Sequence, residues 1–414
     1  MPLDKLAGVV DVHVAGLEAA KVAKGKESVI TRVARAQHGR GPRFLLEGEG
    51  EKEFIRMNSN SYLGMGLRDT VIAAEEKAVM EFGAGPGAVR FISGTYAQHT
   101  RLEERLARFH GRDAAMIFSS AYATIISVIT ALTTNETAII SDELNHNSII
   151  NAIRLSRPAA KAVYKHNDVK ALRSELQGAA GKAKRALVIT DGIFSMRGDH
   201  APLDDIVYIC REFDDHFPEN VVLIVDDSHG VGAFGATGRG TEEYCGLQSR
   251  GPGPVDVLVG TLGKAFGVNG GYVTSSQSII RFLRETSPMY IYSNPITVGE
   301  AAAALAAVDL LDGEDGRALL KHLHALTKRF EQGLLLLGFE IIGSDHPIVP
   351  LMVRDTARTQ ALVSHLRNNG VLATGLAYPV VPRGDEEIRF QVNADHTEAD
   401  IDEVLRVLST FDGG

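Results

Sequence analysis

Five short runs dominated by apolar residues recur through the middle of the chain. They are Ala114-Ala-Met-Ile-Phe118, Thr137-Ala-Ile-Ile140, Ala186-Leu-Val-Ile-Thr190, Val221-Val-Leu-Ile-Val225 and Val255-Asp-Val-Leu-Val259. A strand buried on one face alternates apolar and polar residues; a strand buried on both faces does not. Amphipathic stretches between these runs supply the covering helices. The pattern predicts an α/β fold with a buried, mostly parallel sheet between helical layers. Ligands of such sheets bind in loops after the carboxyl ends of strands.

Both ends of the chain read differently. Residues from about Val12 to Arg35 predict a helix, followed by a polar loop at His38 to Arg43, a β-like Arg43-Phe-Leu-Leu and a charged turn from Glu47 to Glu53. From Thr297 onward the pattern predicts helices over Glu300–Leu311 and Ala318–Leu337, a strand over Ile348–Val353 and a helix over Ala357–Asn368. Strands at Val371 and Glu387–Val392 follow. Thr397-Glu-Ala-Asp400 has the form of a capping box opening a last helix that runs to Phe411. Three parts result: an N-terminal segment 1–58, a large domain 59–296 and a small α+β domain 297–414. Arg250-Gly-Pro-Gly-Pro254 reads as a loop.

The 414 residues, 44% hydrophobic and 23% charged, suit a soluble protein of two domains, or of one large α/β domain with an appendage. A net charge of −9 argues against a nucleic-acid or anionic-membrane partner. Two cysteines are too few for a disulfide scaffold, and no metal site is expected. No run reaches the roughly 18 apolar residues of a membrane span, and no secretory signal opens the chain. Acidic Asp4, Asp11, Glu18 and Glu27 speak against a transit peptide. A cytoplasmic location is expected.

The most informative chemistry lies at Lys264, in Val259-Gly-Thr-Leu-Gly-Lys264, downstream of Val225-Asp-Asp-Ser-His229. A lysine amine that forms an imine, and a strand-end carboxylate that keeps a pyridine nitrogen protonated, are what pyridoxal 5′-phosphate (PLP) requires. Asp226 is otherwise a salt-bridged turn residue, but a carboxylate ending a buried strand needs a partner. Ser119-Ser-Ala-Tyr-Ala-Thr124 opens a helix after a strand; it offers free N–H groups to a phosphate, or is only a serine cap. Thr261 could add a hydroxyl. His146, in a polar loop, either stacks on the pyridine or is solvated. Two nucleotide motifs fail on context. Gly230-Val-Gly-Ala-Phe-Gly235 leads into Ala236-Thr-Gly-Arg-Gly, too rich in glycine for the helix a dinucleotide site needs. Gly263-Lys264 lacks both the leading glycine and the Ser/Thr of a P-loop.

Further motifs occur in a recognisable order: Asn60-Ser-Tyr-Leu-Gly64, Val89-Arg-Phe-Ile-Ser-Gly-Thr95, Asp142-x-x-Asn-His146, Asp191-Gly-Ile-Phe-Ser-Met196, Gly238-Arg-Gly-Thr-Glu-Glu-Tyr-Cys245 and Tyr292-Ser-Asn294. With the lysine and Asp-x-x-His segments, they make the chain resemble the α-oxoamine synthases, a fold-type I PLP family, from about Asn58 to its C-terminus. The resemblance implies a seven-stranded, mostly parallel sheet in the large domain. It implies that Lys264 is the Schiff-base lysine and α-carbon proton shuttle, that Asp226 pairs the ring nitrogen, and that His229 and Ser195 contact the ring oxygen. His146 would stack on the ring, and Ala121, Tyr122 and Thr261 would hold the phosphate. Asn60 and Arg389 would bind the substrate carboxylate, although a strand-borne arginine is otherwise often a surface ion pair. Ser293 and Asn294 would reach the phosphate of a neighbouring subunit, making an obligate homodimer with active sites at the interface. The implied reaction joins an amino acid to an acyl-CoA, releasing CoA, with or without loss of CO2.

Within that family the motifs are most similar to glycine C-acetyltransferases, which implies glycine and a short acyl group. Departures fall at Ser119-Ser-Ala-Tyr, Arg197, Phe266-Gly-Val-Asn-Gly and Met289-Tyr-Ile-Tyr. They leave open a member resembling 8-amino-7-oxononanoate synthase, or one using alanine or serine with a longer acyl chain. A PLP aminotransferase would share the fold and the lysine but would not consume a thioester. A non-catalytic scaffold would usually have lost the lysine.

Overall fold

A computed structural model describes residues 3–20, 23, 25–247, 253–378 and 380–411. The first three residues of the Arg250–Pro254 loop lie outside them. A seven-stranded sheet runs in the order Ala114–Phe118, Gly271–Ser275, Val257–Thr261, Val221–Asp226, Arg185–Asp191, Thr137–Asp142 and Ala160–Tyr164. Its strands are parallel except Gly271–Ser275, which is antiparallel to both neighbours. The five apolar runs are five of its strands, four of them inside the sheet and Ala114–Phe118 at one edge. Successive side chains point to opposite faces. Ile140, Val188, Leu223 and Val225 therefore pack in one core, while Ile139, Leu187, Ile189 and Ile224 pack in the other.

Two strands carry no such signal. Ala160–Tyr164 is an edge strand, exposed along most of its length, and Gly271–Ser275 opens in a glycine-rich segment. At the N-terminus the structure corrects the sequence reading. The helix spans Asp4–Ala19, and Ile30–Ala34 is a strand antiparallel to Arg43–Leu46. Ile30, Thr31 and Val33 are β-branched, favour extended backbone and find a strand to pair with.

Glu340–Ile341, Ile348–Met352, Glu387–Gln391 and Thr374–Leu376 form a second, antiparallel sheet in that order. Within Glu387–Gln391, Ile388 and Phe390 enter the hydrophobic core. Period-two geometry turns Arg389 to the opposite face. Ile55–Arg56 pairs in parallel with Val371–Leu372, and the buried Arg43–Asp400 ion pair ties the same early segment to the last helix. That helix, Glu398–Ser409, opens with the expected capping box of Thr397 and Asp400.

One contact beside the main sheet makes stability depend on pH. His166 Nδ1 lies 3.2 Å from Asp142 Oδ1 and Nε2 lies 3.1 Å from Asp199 Oδ2. Burial opposes the imidazolium, but the two carboxylates outweigh it and raise the pKa from 6.5 to about 9. The bridge contributes fully below pH 6.5 and is lost as pH rises through about 9. Denaturant unfolding is expected to show a fall of about 2 kcal/mol across that window, absent in His166→Gln. An equal fall in the variant would assign the dependence to other groups.

Candidate active site

The carboxyl ends of the parallel strands converge on a cavity of about 250 Å³. Asp226 and Asp191 end neighbouring strands in register, Thr261 ends the next, and Lys264 lies in the loop that follows it. Ala121 and Tyr122 open the helix after Ala114–Phe118, and His146 caps the helix after Thr137–Asp142. With Ser195 and His229, every one of these residues lines the same cavity.

Local chemistry holds each group in place. Ser120 Oγ accepts the Ala123 N–H, whereas the first-turn N–H groups of Ala121 and Tyr122 have no intrahelical acceptor. Gly271 permits this approach, because a Cβ there would sit 2.3 Å from the Ala121 nitrogen. Asn145 ties the His146 loop to the sheet by donating to the Ile189 carbonyl and accepting the Asp191 N–H, each at 2.8 Å. Asp191 Oδ2 accepts the His146 N–H at 3.0 Å, and His146 Nδ1 accepts the Ser148 N–H at 3.2 Å, which orients the imidazole. Asp226 Oδ1 accepts the Ser228 N–H at 3.1 Å.

Electrostatics set the protonation states. Burial pushes the Lys264 amine down to about 8, against the pull of Asp226 and Asp191. Free amine is therefore accessible near neutral pH, as nucleophilic use requires. Asp191 is pushed well up by burial and by the Asp226 charge beside it. Burial lowers His146 and, much further, His229, keeping both imidazoles neutral.

Asn60 and Arg389 are joined to the cavity wall through Ser195. Arg389 Nη1 donates to the Ser195 carbonyl at 2.9 Å and Nη2 to Asn60 Oδ1 at 3.1 Å. Among the described residues no carboxylate is ion-paired with this guanidinium. The Glu387 carboxyl, two positions away on the same strand face, is pushed up to about 8 by burial, although Arg389 and Arg197 pull it down. Ser293 and Asn294 do not line the cavity of their own chain.

Sequence reasoning singled out neither Asp191 nor Tyr62 as a site residue. Asp191 carried a usable signal, an acid closing a buried strand, as Asp226 does. Tyr62 carried none: its hydroxyl meets His229 Nδ1 at 2.7 Å across 167 positions of chain. Ser148, Ile193 and Ser228 also line the cavity unforeseen.

The residues fit a pyridoxal phosphate. A free helix start and Thr261 suit its phosphate, buried Asp226 suits its ring N–H, and Lys264 suits its aldehyde carbon.

Comparison with known proteins agrees with that fit. The model of the aminotransferase class I and II family matches residues 52–408. An 8-amino-7-oxononanoate synthase of Fervidobacterium nodosum is 40% identical over 92% of this chain and 93% of its own. The mitochondrial 2-amino-3-ketobutyrate coenzyme A ligase of Bos taurus is 36% identical over 97% of this chain and 90% of its own. The solved structure of SPT with PLP as internal aldimine, a serine palmitoyltransferase, superposes with a TM-score of 0.86 at 26% identity, covering 98% and 97% of the two chains. The chain belongs to the aminotransferase class I and II family and, within it, to the PLP-dependent α-oxoamine synthases.

Proposed function

We propose that this acyltransferase condenses glycine with a short-chain acyl-CoA, releasing CoA and giving an α-amino ketone or its β-keto acid precursor. One observation carries the reading: an amine with a pKa of about 8 lines the same cavity as Asp226, and behind that wall Arg389, which has no carboxylate ion-paired with it among the described residues, donates to the Ser195 carbonyl. Bound pyridoxal phosphate supplies the electron sink for the α-carbanion. Asp226 would keep the ring nitrogen protonated, His229 and Ser195 would contact the ring oxygen, and His146 would cover a ring face. Ala121, Tyr122 and Thr261 hold the phosphate. Arg389 and Asn60 grip the amino-acid carboxylate, the guanidinium fork matching its two oxygens. The Lys264 amine would take the α-proton as general base.

Ser293 and Asn294 complete the phosphate site of a second copy, making the enzyme an obligate homodimer. The helix Asp4–Ala19 supports this assembly, since it buries no residue in its own chain and exposes Val9, Val10 and Val12. Residues 59–296 form the cofactor-binding domain and 297–414 the small domain. The enzyme acts in the cytoplasm; Cys210 and Cys245 are both free, and among the described residues no helix is long and apolar enough to cross a membrane.

A second reading has alanine or serine as donor and a longer acyl chain. The 38–40% identity to curated relatives named 8-amino-7-oxononanoate synthase favours it. Mass analysis of products from glycine, alanine and serine against acetyl-, medium- and long-chain acyl-CoA decides between the two. A single glycine–acetyl product is expected; a longer or methyl-branched product would move the enzyme to the second reading. The product mass also shows whether the carboxylate is retained.

A further inference from the structure

Tyr62 lies wholly inside the protein, and its hydroxyl touches both halves of the site. The phenol oxygen is 2.7 Å from His229 Nδ1 and 3.3 Å from Asn60 Oδ1. Asn60 Oδ1 also accepts from Arg389 Nη2 at 3.1 Å. A continuous hydrogen-bonded path therefore runs from the arginine assigned to the substrate carboxylate to the imidazole assigned to the cofactor ring oxygen. His346 braces it: its Nε2 donates to the His229 carbonyl at 2.9 Å, and its ring meets Tyr62 edge-on at 5.2 Å.

The path holds two exchangeable protons between Tyr62 and His229. Burial keeps Tyr62 a neutral phenol, its pKa raised despite the Arg389 charge. Burial first, then the charges of Lys264 and Arg389 and the rings of His346 and His146, keep His229 neutral. Two arrangements satisfy the 2.7 Å contact. In one, the phenol donates to Nδ1, and Nε2 carries the imidazole proton. In the other, Nδ1–H donates to the phenol oxygen, the phenol donates to Asn60 Oδ1, and Nε2 is an acceptor.

We propose that Tyr62 is a positioning residue that sets which nitrogen of His229 carries the proton, according to whether a carboxylate occupies Arg389 and Asn60. The inference rests on the functional reading above. While Arg389 donates to Asn60 Oδ1, that oxygen competes weakly for the phenol proton. The phenol then donates to the nearer Nδ1, and Nε2–H is offered to the anionic ring oxygen. A carboxylate that draws Arg389 away frees Asn60 Oδ1, and the phenol turns to it. The imidazole proton is then held at Nδ1, and the ring oxygen loses a donor. In the exchange Nε2 releases one proton to solvent and Nδ1 takes one up, so the net charge is unchanged and no external acid or base is consumed.

The test is a pH titration of the visible absorbance of the cofactor-loaded enzyme, with and without acetate, a carboxylate that has no amine. Tyr62→Phe removes the donor that holds the imidazole proton on Nε2, which weakens the Nε2–H hydrogen bond to the ring oxygen, so the titration midpoint without acetate is expected to rise by about half a pH unit. Acetate should then move the midpoint of the variant by less than half its effect on the wild type. A midpoint unchanged by the substitution, or a full acetate response in the variant, would overturn the proposal. A purely structural tyrosine would change melting and leave both readouts alone. Nitrogen-15 NMR of His229 in the wild type gives a check independent of the variant's folding. The proton is expected on Nε2 without acetate and on Nδ1 with it, and a tautomer fixed in both states overturns the switch. Wild-type enzyme that shows no absorbance from cofactor on Lys264 would instead refute the underlying reading.

Discussion

Lys264→Ala is expected to lose at least about 10⁴-fold in kcat, in line with removal of the central group of a catalytic unit. The same variant should lose the visible absorbance of cofactor bound to the lysine. Its stability without cofactor should stay within about 1 kcal/mol of wild type, because deletion relieves the burial that holds the amine at about 8. Three readouts thus separate a chemical role from a structural one. Lost activity with retained absorbance would place the imine on another lysine. Retained activity would remove the basis of the whole assignment.

Arg389→Ala should raise the amino-acid KM about 100-fold, since truncating one partner of a buried charge pair costs roughly 2–5 kcal/mol. Cofactor affinity should change little, because Arg389 touches Ser195 and Asn60 rather than the helix start at Ala121. Arg389→Lys should recover only part of the loss, because an ammonium offers a point charge in place of a two-pronged fork. Amino-acid saturation curves and cofactor titrations measure the two effects separately. An unchanged KM would mean that the carboxylate binds elsewhere. Glu387, pushed up to about 8, explains why this arginine is available: a protonated neighbour does not neutralise it.

The sheet was legible in the sequence where burial on both faces removes alternation, as in Val221–Val225 and Ala186–Thr190. It was not legible at Ala160–Tyr164, whose exposed edge gives no apolar run, nor at Ile30–Ala34, a mostly exposed strand that pairs with Arg43–Leu46. Lys264, Asp226, His229 and His146 could be read because each sits where a strand ends and chemistry needs its residue type. Asp191 and Tyr62 gain their meaning from register and from contacts across the fold. Asp191 matters because it lies beside Asp226, and Tyr62 because it meets a histidine far along the chain. Spacing along one sequence carries neither fact. Ser293 and Asn294 stand apart for a related reason: their proposed partner is a second copy of the chain.

The activity proposed for this enzyme is acyl transfer from a thioester to a carbanion generated by Lys264. Its most direct test is release of free CoA thiol from cofactor-loaded protein given an amino acid and an acyl-CoA together. Steady release is expected only when both substrates are present, and none from Lys264→Ala. Release from no pair, with amino acid alone converting the cofactor to its amine form, would contradict it and identify an aminotransferase.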